Sequence, residues 1–191
     1  MLRLEKFTIE DRKDYEALAF NEAAMRMNMG RVFTAQEAET FFAMVLNCNR
    51  VGGTTGFYRV CCRDGTHWTY IGMGALSENE EEGALEIEYM LLPQFWHRGY
   101  GTEIAKELLS FGFSVLGKER IQARYILGNR TSLHVMEKCG MRFEGVFRHL
   151  LYVKGAFRDI GVCSILREEF FSANKKRVYR LALPHWYDRF H

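Results

Sequence analysis

Apolar residues recur every three or four positions in some stretches of the chain and at alternating positions in others. The first spacing is typical of an amphipathic helix, and the second is typical of a strand with one buried face. The helical spacing predicts helices over residues 11–20, 34–47, 101–116 and 131–139. Thr34 and Glu37 form a capping-box sequence at the start of the second helix, and Gly140 is suited to end the fourth.

Strand patterns fill most of the remaining sequence and are separated by turn residues. They predict strands over residues 3–8, 57–62, 68–76, 85–92, 121–127, 143–153 and 157–166. We expect hairpin turns at Asp64-Gly65 and at Lys154-Gly155, and a solvated hairpin tip at the acidic run 78–82. This order predicts an α/β (α+β) fold, with a mixed, largely antiparallel central sheet of about seven strands and helices on both faces.

The length and composition of the chain agree with one globular domain. The sequence has 191 residues, of which 48% are hydrophobic and 26% charged, so a large core can form without disulfides or metals. We assign residues 1–170 to the domain and residues 171–191 to a C-terminal extension. We expect the aromatic side chains of this extension to pack on the domain or on a second copy in a homodimer, and steering of its basic part towards RNA is the alternative.

Charge, targeting signals and cysteines narrow the functional classes. The net charge of +2 favours neither nucleic acid nor an acidic membrane as a partner. The first residues lack the apolar core of a signal peptide and no stretch is apolar enough to span a membrane, so we expect a cytoplasmic protein. The five cysteines are scattered without a Cys-x-x-Cys pair, which predicts reduced, structural thiols and no metal site.

The segment 96–102, with the sequence WHRGYGT, joins a predicted strand to the best predicted helix. The first backbone N–H groups of a helix have no partner within it, and the helix dipole adds partial positive charge there. Gly99 and Gly101 would let a bulky anion approach the backbone, and His97, Arg98 or Thr102 could add side-chain donors. The glycine pair alone is a weak signal, because it lacks the third glycine of a dinucleotide fingerprint and the Gly-Lys-Ser/Thr of a Walker A loop.

Three blocks of sequence, in order, share a likeness to one family. The first covers residues 86–103 and contains the glycine turn, the second covers 128–145 and begins Asn-x-x-Ser after a glycine, and the third is the hairpin turn at 154–159. Together they resemble the GNAT superfamily of N-acetyltransferases, and most closely its branch of ribosomal-protein N-terminal (RimJ/RimL-like) acetyltransferases. The resemblance implies acetyl-CoA as co-substrate, no metal, and a sheet that splays apart at the cofactor site.

The resemblance also assigns cofactor contacts to the matching positions of this chain. The oxyanion of the reaction would be stabilised by backbone N–H groups of the strand that holds Met90, Leu91 and Leu92. The cofactor arm would lie against Asn129 and Ser132, although Asn129 could equally cap its helix. The diphosphate would lie at the helix start, on His97, Arg98, Gly99, Tyr100, Gly101 and Thr102.

Acid–base groups are expected near the splay, because the amine must lose a proton and the thiolate must gain one. Glu88 is the first candidate for the base, since it lies on the cleft-lining strand, and Glu86 has the same parity and is the second. The plainer interpretation of each is a surface glutamate. The resemblance assigns protonation of the sulfur to Ser132, and Tyr152 is an alternative acid. Serine-using relatives carry a glutamate base where this chain has Leu151, so their mechanism does not carry over intact.

Two histidines and the acceptor complete the sequence-based expectations. His134 and His149 are further candidates because imidazole is a common acid or base in enzymes, but a lone histidine in a helix or hairpin is more often structural. The branch implies a protein or peptide N-terminal α-amine as the acceptor. A small-molecule amine, such as an amino acid, a polyamine or an antibiotic, is a second hypothesis, and a CoA-binding sensor without turnover is a third.

Overall fold

A seven-stranded sheet forms the centre of the structure, a computed structural model that describes residues 1–79, 84–153 and 155–173. Every neighbouring pair of strands is antiparallel except β4 and β5, which run parallel. The predicted mixed, largely antiparallel sheet is therefore confirmed. In the spatial order β1-β2-β3-β4-β5-β7-β6, the strands are β1 (Leu2–Lys6), β2 (Gly56–Asp64), β3 (His67–Asn79), β4 (Ala84–Leu91), β5 (Arg120–Ile126), β7 (Ala156–Leu166) and β6 (Arg142–Val153).

Helices cover both faces of the sheet, as the sequence predicted. The first three pack with one buried apolar cluster, and the last three pack with the other. They are α1 (Arg12–Ala19), α2 (Glu22–Met29), α3 (Ala35–Val51), α4 (Tyr100–Ser114), α5 (Arg130–Lys138) and α6 (Arg167–Ala173). The capping box at Thr34 and Glu37 is present at the start of α3.

Helix α2 was not predicted from the sequence, and it lies beside the cleft that matters for function. It begins after Asn21, whose side-chain oxygen accepts a hydrogen bond from the N–H of Ala24 at 3.1 Å. It ends at Gly30, which has a left-handed φ of 75°. Only Ala24 and Met25 of this helix are buried, so its apolar periodicity is too short to predict a separate element.

The parallel pair β4 and β5 opens shortly after it forms. Only Leu85 with Ile121 and Glu86 with Gln122 are paired in register. Beyond Glu86 the two strands separate, while β4 keeps its pairing with β3 as far as Leu91. The splay that the family resemblance implied is therefore present, and it leaves one edge of β4 available to a ligand.

Helix α6 crosses the boundary that we placed at residue 170. Phe170 is buried, and its ring lies 5.1 Å from the ring of Phe113 in α4. Arg167 donates a hydrogen bond to the main-chain oxygen of Phe113 at 2.5 Å. The folded body thus extends at least to Ala173, and residues 174–191 of the predicted extension lie outside the described residues, as do residues 80–83 of the predicted acidic hairpin tip.

Candidate active site

A cavity of about 350 Å³ lies at the splay between β4 and β5. Four elements form its walls: the end of β4, the loop and first turn of α4, the first turns of α5, and the end of α2. Most of the predicted cofactor contacts meet here, namely Met90, Leu91, His97, Gly99, Tyr100, Gly101, Thr102, Asn129 and Ser132.

The start of α4 presents unpaired backbone donors to this cavity. Gly99 has a left-handed φ of 85°, which turns the chain into the helix and which glycine adopts without strain. The first helical hydrogen bond runs from the N–H of Glu103 to the oxygen of Gly99 at 3.1 Å. Within the described residues no partner is recorded for the N–H groups of Tyr100, Gly101 and Thr102, so three donors and the positive end of the dipole remain for an anion.

Basic side chains surround the same helix start. His97, His134 and Lys138 line the cavity. Arg98 does not line it, and its guanidinium lies 5.8 Å from the centre of the Phe95 ring instead. The structure therefore offers three nearby basic groups for a polyanionic ligand, and it does not place Arg98 among them.

Leu92 does not belong with the predicted oxyanion donors. Its side chain is buried in the opposite apolar cluster, among the helices α1 to α3. Its N–H donates to the main-chain oxygen of Ile71 at 2.9 Å, so this donor is already used within the sheet. Met90 and Leu91 line the cavity, whereas Leu92 does not. Trp96 fixes this corner, because its indole N–H donates to the oxygen of Leu91 at 2.8 Å.

Asn129 is buried at the start of α5, and its side chain makes two hydrogen bonds. Its side-chain oxygen accepts from the N–H of Ser132 at 3.1 Å, so it caps the helix. Its amide group donates to the main-chain oxygen of Met27 in α2 at 3.1 Å. The cap leaves the Ser132 hydroxyl unneeded for helix initiation, and within the described residues no hydrogen bond is recorded for that hydroxyl.

Tyr89 closes the gap between β4 and α5. Its hydroxyl donates to the main-chain oxygen of Ser132 at 3.2 Å. Burial is the main cause that raises the pKa of this phenol, so the group stays protonated and keeps the hydrogen bond. This contact positions the first turn of α5, which carries Ser132, against the cleft-lining strand.

A second, smaller cavity of about 90 Å³ adjoins the first. Glu88, Arg124, Met29 and Met73 line only this smaller cavity. The two cavities share a set of lining residues: Met27, Asn28, Tyr89, Met90, Asn129 and Ser132. Ser132 and Met90 thus lie at the junction between an anion-binding cavity and a cavity that contains a carboxylate.

The carboxylate of Glu88 remains accessible to solvent at the cleft, although protein atoms surround much of it. This desolvation is the largest cause that raises its pKa, and the neighbouring charge of Glu86 raises the pKa further, while Arg124 lowers it. Glu86 itself is engaged, since it pairs with Arg124 at 3.0 Å and accepts from the Gln122 amide at 3.1 Å. The geometry therefore favours Glu88 over Glu86 as the group that takes a proton.

A family model described as an acetyltransferase (GNAT) domain matches residues 1–142, which is most of the chain. The chain belongs to the GNAT acetyltransferase family. The uncharacterized N-acetyltransferase YoaA of Bacillus subtilis is 35% identical over 97 residues, which cover 51% of this chain and 54% of YoaA. The chain thus spans about half of the length of YoaA. It spans 65% of the length of a second relative, the uncharacterized N-acetyltransferase p20 of Bacillus licheniformis, to which it is 26% identical.

Solved structures agree with this membership. A GNAT-family acetyltransferase from Bacillus anthracis superposes with a TM-score of 0.74 at 26% identity, covering 88% of this chain and 96% of the other. The spermidine N-acetyltransferase from Vibrio cholerae, solved with CoA and spermine, also gives a TM-score of 0.74. It is 18% identical and covers 89% of this chain and 98% of its own, so it supports the fold alone.

Tyr152 of this GNAT protein does not belong to the lining of the two cavities of the splay. It is 62% exposed on β6, and its ring lies 4.9 Å from that of Phe157 on β7. It lines neither cavity in the described structure. The strand register shifts between Phe147 and Leu151, which changes the direction of the side chains after the shift. The structure thus supports the cross-strand aromatic interpretation of Tyr152 and not its role as an acid.

His149 is held on the same hairpin as a structural residue of this GNAT protein. Its backbone N–H donates to Asp159 Oδ1 at 2.8 Å, and its ring stacks on Phe157 with centres 5.4 Å apart. The GNAT cysteines also contribute no nucleophile, because none of the five lines either cavity. Burial raises the pKa of Cys61, Cys139 and Cys163 to about 11, so these stay thiols at neutral pH.

Sequence reasoning missed three contributors to the GNAT cleft. The α2 residues Met27 and Asn28 line both cavities, and the cap at Asn21 was the available signal for their helix. The side chain of Tyr89 was not considered as a site residue. Arg124 was missed because alternation on β5 places it with Arg120 and Gln122 on a face that the pattern alone assigns to solvent.

A membrane-spanning helix and a metal-binding cluster are both absent from residues 1–79, 84–153 and 155–173 of this GNAT chain. No helix there combines the length and the apolar character needed to cross a membrane. Within the same residues, no group of three or more His, Cys, Asp or Glu side chains is arranged to hold a metal ion.

Proposed function

We propose that this protein is an acetyl-CoA-dependent N-acetyltransferase that acts on a primary amine, and that the amine is an α-amine such as the N-terminus of a peptide. The observation that carries the proposal is the junction at Ser132 and Met90. On one side of it lies the cavity with the free helix donors, and on the other lies the cavity with Glu88. A ligand in one cavity would meet a ligand in the other at this junction.

The residues of the larger cavity fit acetyl-CoA, which supplies the acetyl group as an activated thioester. The N–H groups of Tyr100, Gly101 and Thr102 would hold the diphosphate. His97 and Lys138 would add positive charge beside it. The edge of β4 that faces the splay beyond Glu86 would receive the pantetheine arm. The N–H of Leu91, which alternates with the β3-facing N–H of Leu92, would be a backbone donor for the oxyanion.

The acceptor amine must be neutral when it attacks the carbonyl carbon. Glu88 would take the proton that the nitrogen loses as the new C–N bond forms and the C–S bond breaks. The departing sulfur must gain one proton to become a thiol, and the Ser132 hydroxyl, at the junction and without a recorded partner, would donate it. Glu88 would then release its proton to solvent and Ser132 would recover one from solvent, so the balance is one acetyl group exchanged for one proton.

An α-amine suits this machinery better than an alkyl amine does. An α-amine has an ordinary pKa of about 8, whereas an alkyl ammonium has one of about 10.4, so a larger fraction of the first is already neutral near pH 7 and able to attack. The resemblance to the ribosomal-protein branch favours the same acceptor. A polyamine is the second candidate, because one structural neighbour is a spermidine N-acetyltransferase solved with spermine. A cytoplasmic location and a homodimer remain predictions from the sequence.

Incubation of the purified chain with acetyl-CoA and a panel of peptides, amino acids and polyamines tests the proposal. Mass spectrometry of the acceptors should find the acetyl group on the α-nitrogen of peptides or amino acids. Tight acetyl-CoA binding in calorimetry, with no acetylated product from any acceptor, would instead identify a CoA-binding sensor.

A further inference from the structure

Arg124 faces Glu88 across the splay. The parallel register pairs Leu85 with Ile121 and Glu86 with Gln122. Continued for two residues, this register brings Glu88 level with Arg124, at the point where the strands part. Both side chains line the smaller cavity, so the candidate base and a guanidinium border the same small space.

The guanidinium of Arg124 is incompletely paired. Its Nε lies 3.0 Å from a carboxylate oxygen of Glu86, but this buried Nε makes no hydrogen bond of acceptable geometry. Within the described residues no other partner is recorded for the guanidinium. Glu86 also accepts from Gln122, so it holds Arg124 in place without occupying all of its donors. A fork of N–H groups therefore remains for a ligand in the cavity.

The N–H groups of the guanidinium favour a ligand with an oxygen atom that can accept their hydrogen bonds. A guanidinium binds carboxylates and carbonyl oxygens with paired, nearly parallel hydrogen bonds. A polyamine carries no such oxygen, and its second ammonium group would be repelled by Arg124. In an α-amino-acyl compound the amine and the carbonyl carbon are attached to one carbon atom, so a small cavity can hold both between Glu88 and Arg124.

The size and walls of the cavity fit the same compound. A volume of about 90 Å³ admits the atoms around one α-carbon and little more. Met27, Met29 and Met73 supply flexible apolar walls against which a side chain can pack. The polar groups thus define the main-chain part of the acceptor, and the methionines tolerate variation in the rest.

We propose that Arg124 binds the α-carboxylate or α-carbonyl oxygen of the acceptor, so that the enzyme acetylates amino acids or peptide N-termini and discriminates against polyamines. This inference rests on the proposed function. Arg124 is a specificity-determining residue in this account, and Glu88 remains the base.

The test uses acceptors in matched sets: a peptide, its N-terminal amino acid, that amino acid's amide, the amine left by removing the carboxyl group, and spermidine. The wild-type kcat/KM should be at least about 100-fold higher for the α-amino-acyl acceptors than for the decarboxylated amine. A preference for the free acid would identify an amino-acid substrate, and equal use of the amide and peptide would identify a carbonyl contact.

The variants are Arg124→Gln and Arg124→Lys, with Arg120→Gln as the matched control. Arg120 shares the β5 face with Arg124 but pairs with Glu144 at 2.6 Å, outside the cavity. Arg124→Gln should lower kcat/KM for α-amino-acyl acceptors by at least about 30-fold and change that for the decarboxylated amine by less than about 3-fold. Arg124→Lys should recover part of the loss, and Arg120→Gln should match the wild type.

An equal loss with every acceptor, or wild-type use of spermidine as good as that of peptides, overturns the role of Arg124. Calorimetric binding of the peptide to the CoA-bound protein separates this failure from failure of the proposed function. If no acceptor is acetylated but Arg124→Gln still abolishes peptide binding, the binding role of Arg124 stands and the catalytic proposal fails. If the peptide binds equally to the wild type and to Arg124→Gln, the binding role of Arg124 is wrong. Thermal unfolding of each variant identifies any loss of activity or binding that is caused by misfolding. If Arg124→Gln misfolds, the kcat/KM and the peptide binding of Arg124→Lys are compared with those of the wild type instead.

Discussion

The amide group of Asn129 donates a hydrogen bond to the main-chain oxygen of Met27 at 3.1 Å, although the two residues are 102 positions apart in sequence. The same side chain caps α5 through the N–H of Ser132. Because Met27 and Ser132 both line the junction of the two cavities, one buried asparagine fixes the distance between the α2 wall and the helix that carries Ser132.

Two substitutions of Asn129 should separate its two hydrogen bonds. Asn129→Ser keeps a capping oxygen and loses the donor to Met27, whereas Asn129→Ala loses both. Removal of an N-cap costs about 1 kcal/mol, so Asn129→Ala should lower the free energy of unfolding by more than Asn129→Ser does. Chemical denaturation checks this order. Equal stability of Asn129→Ala and the wild type would contradict the bridging role.

Glu88→Gln should lower kcat by about 10²- to 10⁴-fold, because general-base catalysis contributes that much in typical enzymes. The wild-type rate should rise with pH through the Glu88 pKa, which burial and Glu86 raise and Arg124 lowers. The variant should lack this acid limb. Initial rates with a peptide acceptor, from about pH 5 to about pH 9, check the profile; an unchanged profile would assign the base elsewhere.

The same raised pKa fixes the sign of an effect on stability. Folding disfavours the ionised form of Glu88, so the carboxylate destabilises the native state above its folded pKa, and the penalty disappears as the pH falls and both states become protonated. Glu88→Gln should therefore have a Tm at neutral pH equal to or slightly above that of the wild type, with the difference vanishing in acid. Solvent access at the cleft keeps the gain small. A lower Tm at neutral pH would argue against this account of Glu88.

Ser132→Ala should lower kcat with little change in the KM for acetyl-CoA. The helix cap is provided by Asn129, so loss of the hydroxyl leaves the start of α5 intact. Thr131→Ala is the neighbouring control, since Thr131 lines only the larger cavity. Steady-state kinetics distinguish the outcomes: an unchanged kcat with a raised cofactor KM would make Ser132 a binding residue and not an acid.

Tyr152→Phe should leave kcat/KM for any acceptor within about twofold of the wild type, because the phenol is exposed on the hairpin and lines neither cavity. The ring contact with Phe157 survives in the variant. A decrease in kcat/KM of more than tenfold, measured under the same conditions, would show that Tyr152 contributes to catalysis.

Local signals in the sequence were sufficient for most of the fold and for the cofactor side of the site. The capping box at Thr34, the glycine turn and the long apolar stripe of α4 each depend on neighbours in sequence, so they are visible without tertiary structure. The splay itself came from the family resemblance. It is set by where the β4–β5 pairing stops, after Glu86 and Gln122, and no local pattern encodes that point.

The acceptor side depended on relationships that the sequence does not display. Leu92 was expected at the oxyanion but pairs with β3, because strand parity does not reveal which edge a backbone donor faces. Tyr152 follows a register shift, and such shifts redirect side chains without a clear signature. Arg124 became a candidate only when the parallel register placed it opposite Glu88. Residues of α2 reach the cleft through tertiary packing alone.

A crystal structure of the protein with CoA and an N-terminally acetylated peptide tests the central claim most directly. The account predicts the diphosphate on the N–H groups of Tyr100, Gly101 and Thr102, and the sulfur at the junction beside Ser132 and Met90. It also predicts the acetylated nitrogen on the Glu88 side of that junction. A diphosphate bound away from the start of α4, or a sulfur that does not reach the junction, would contradict it.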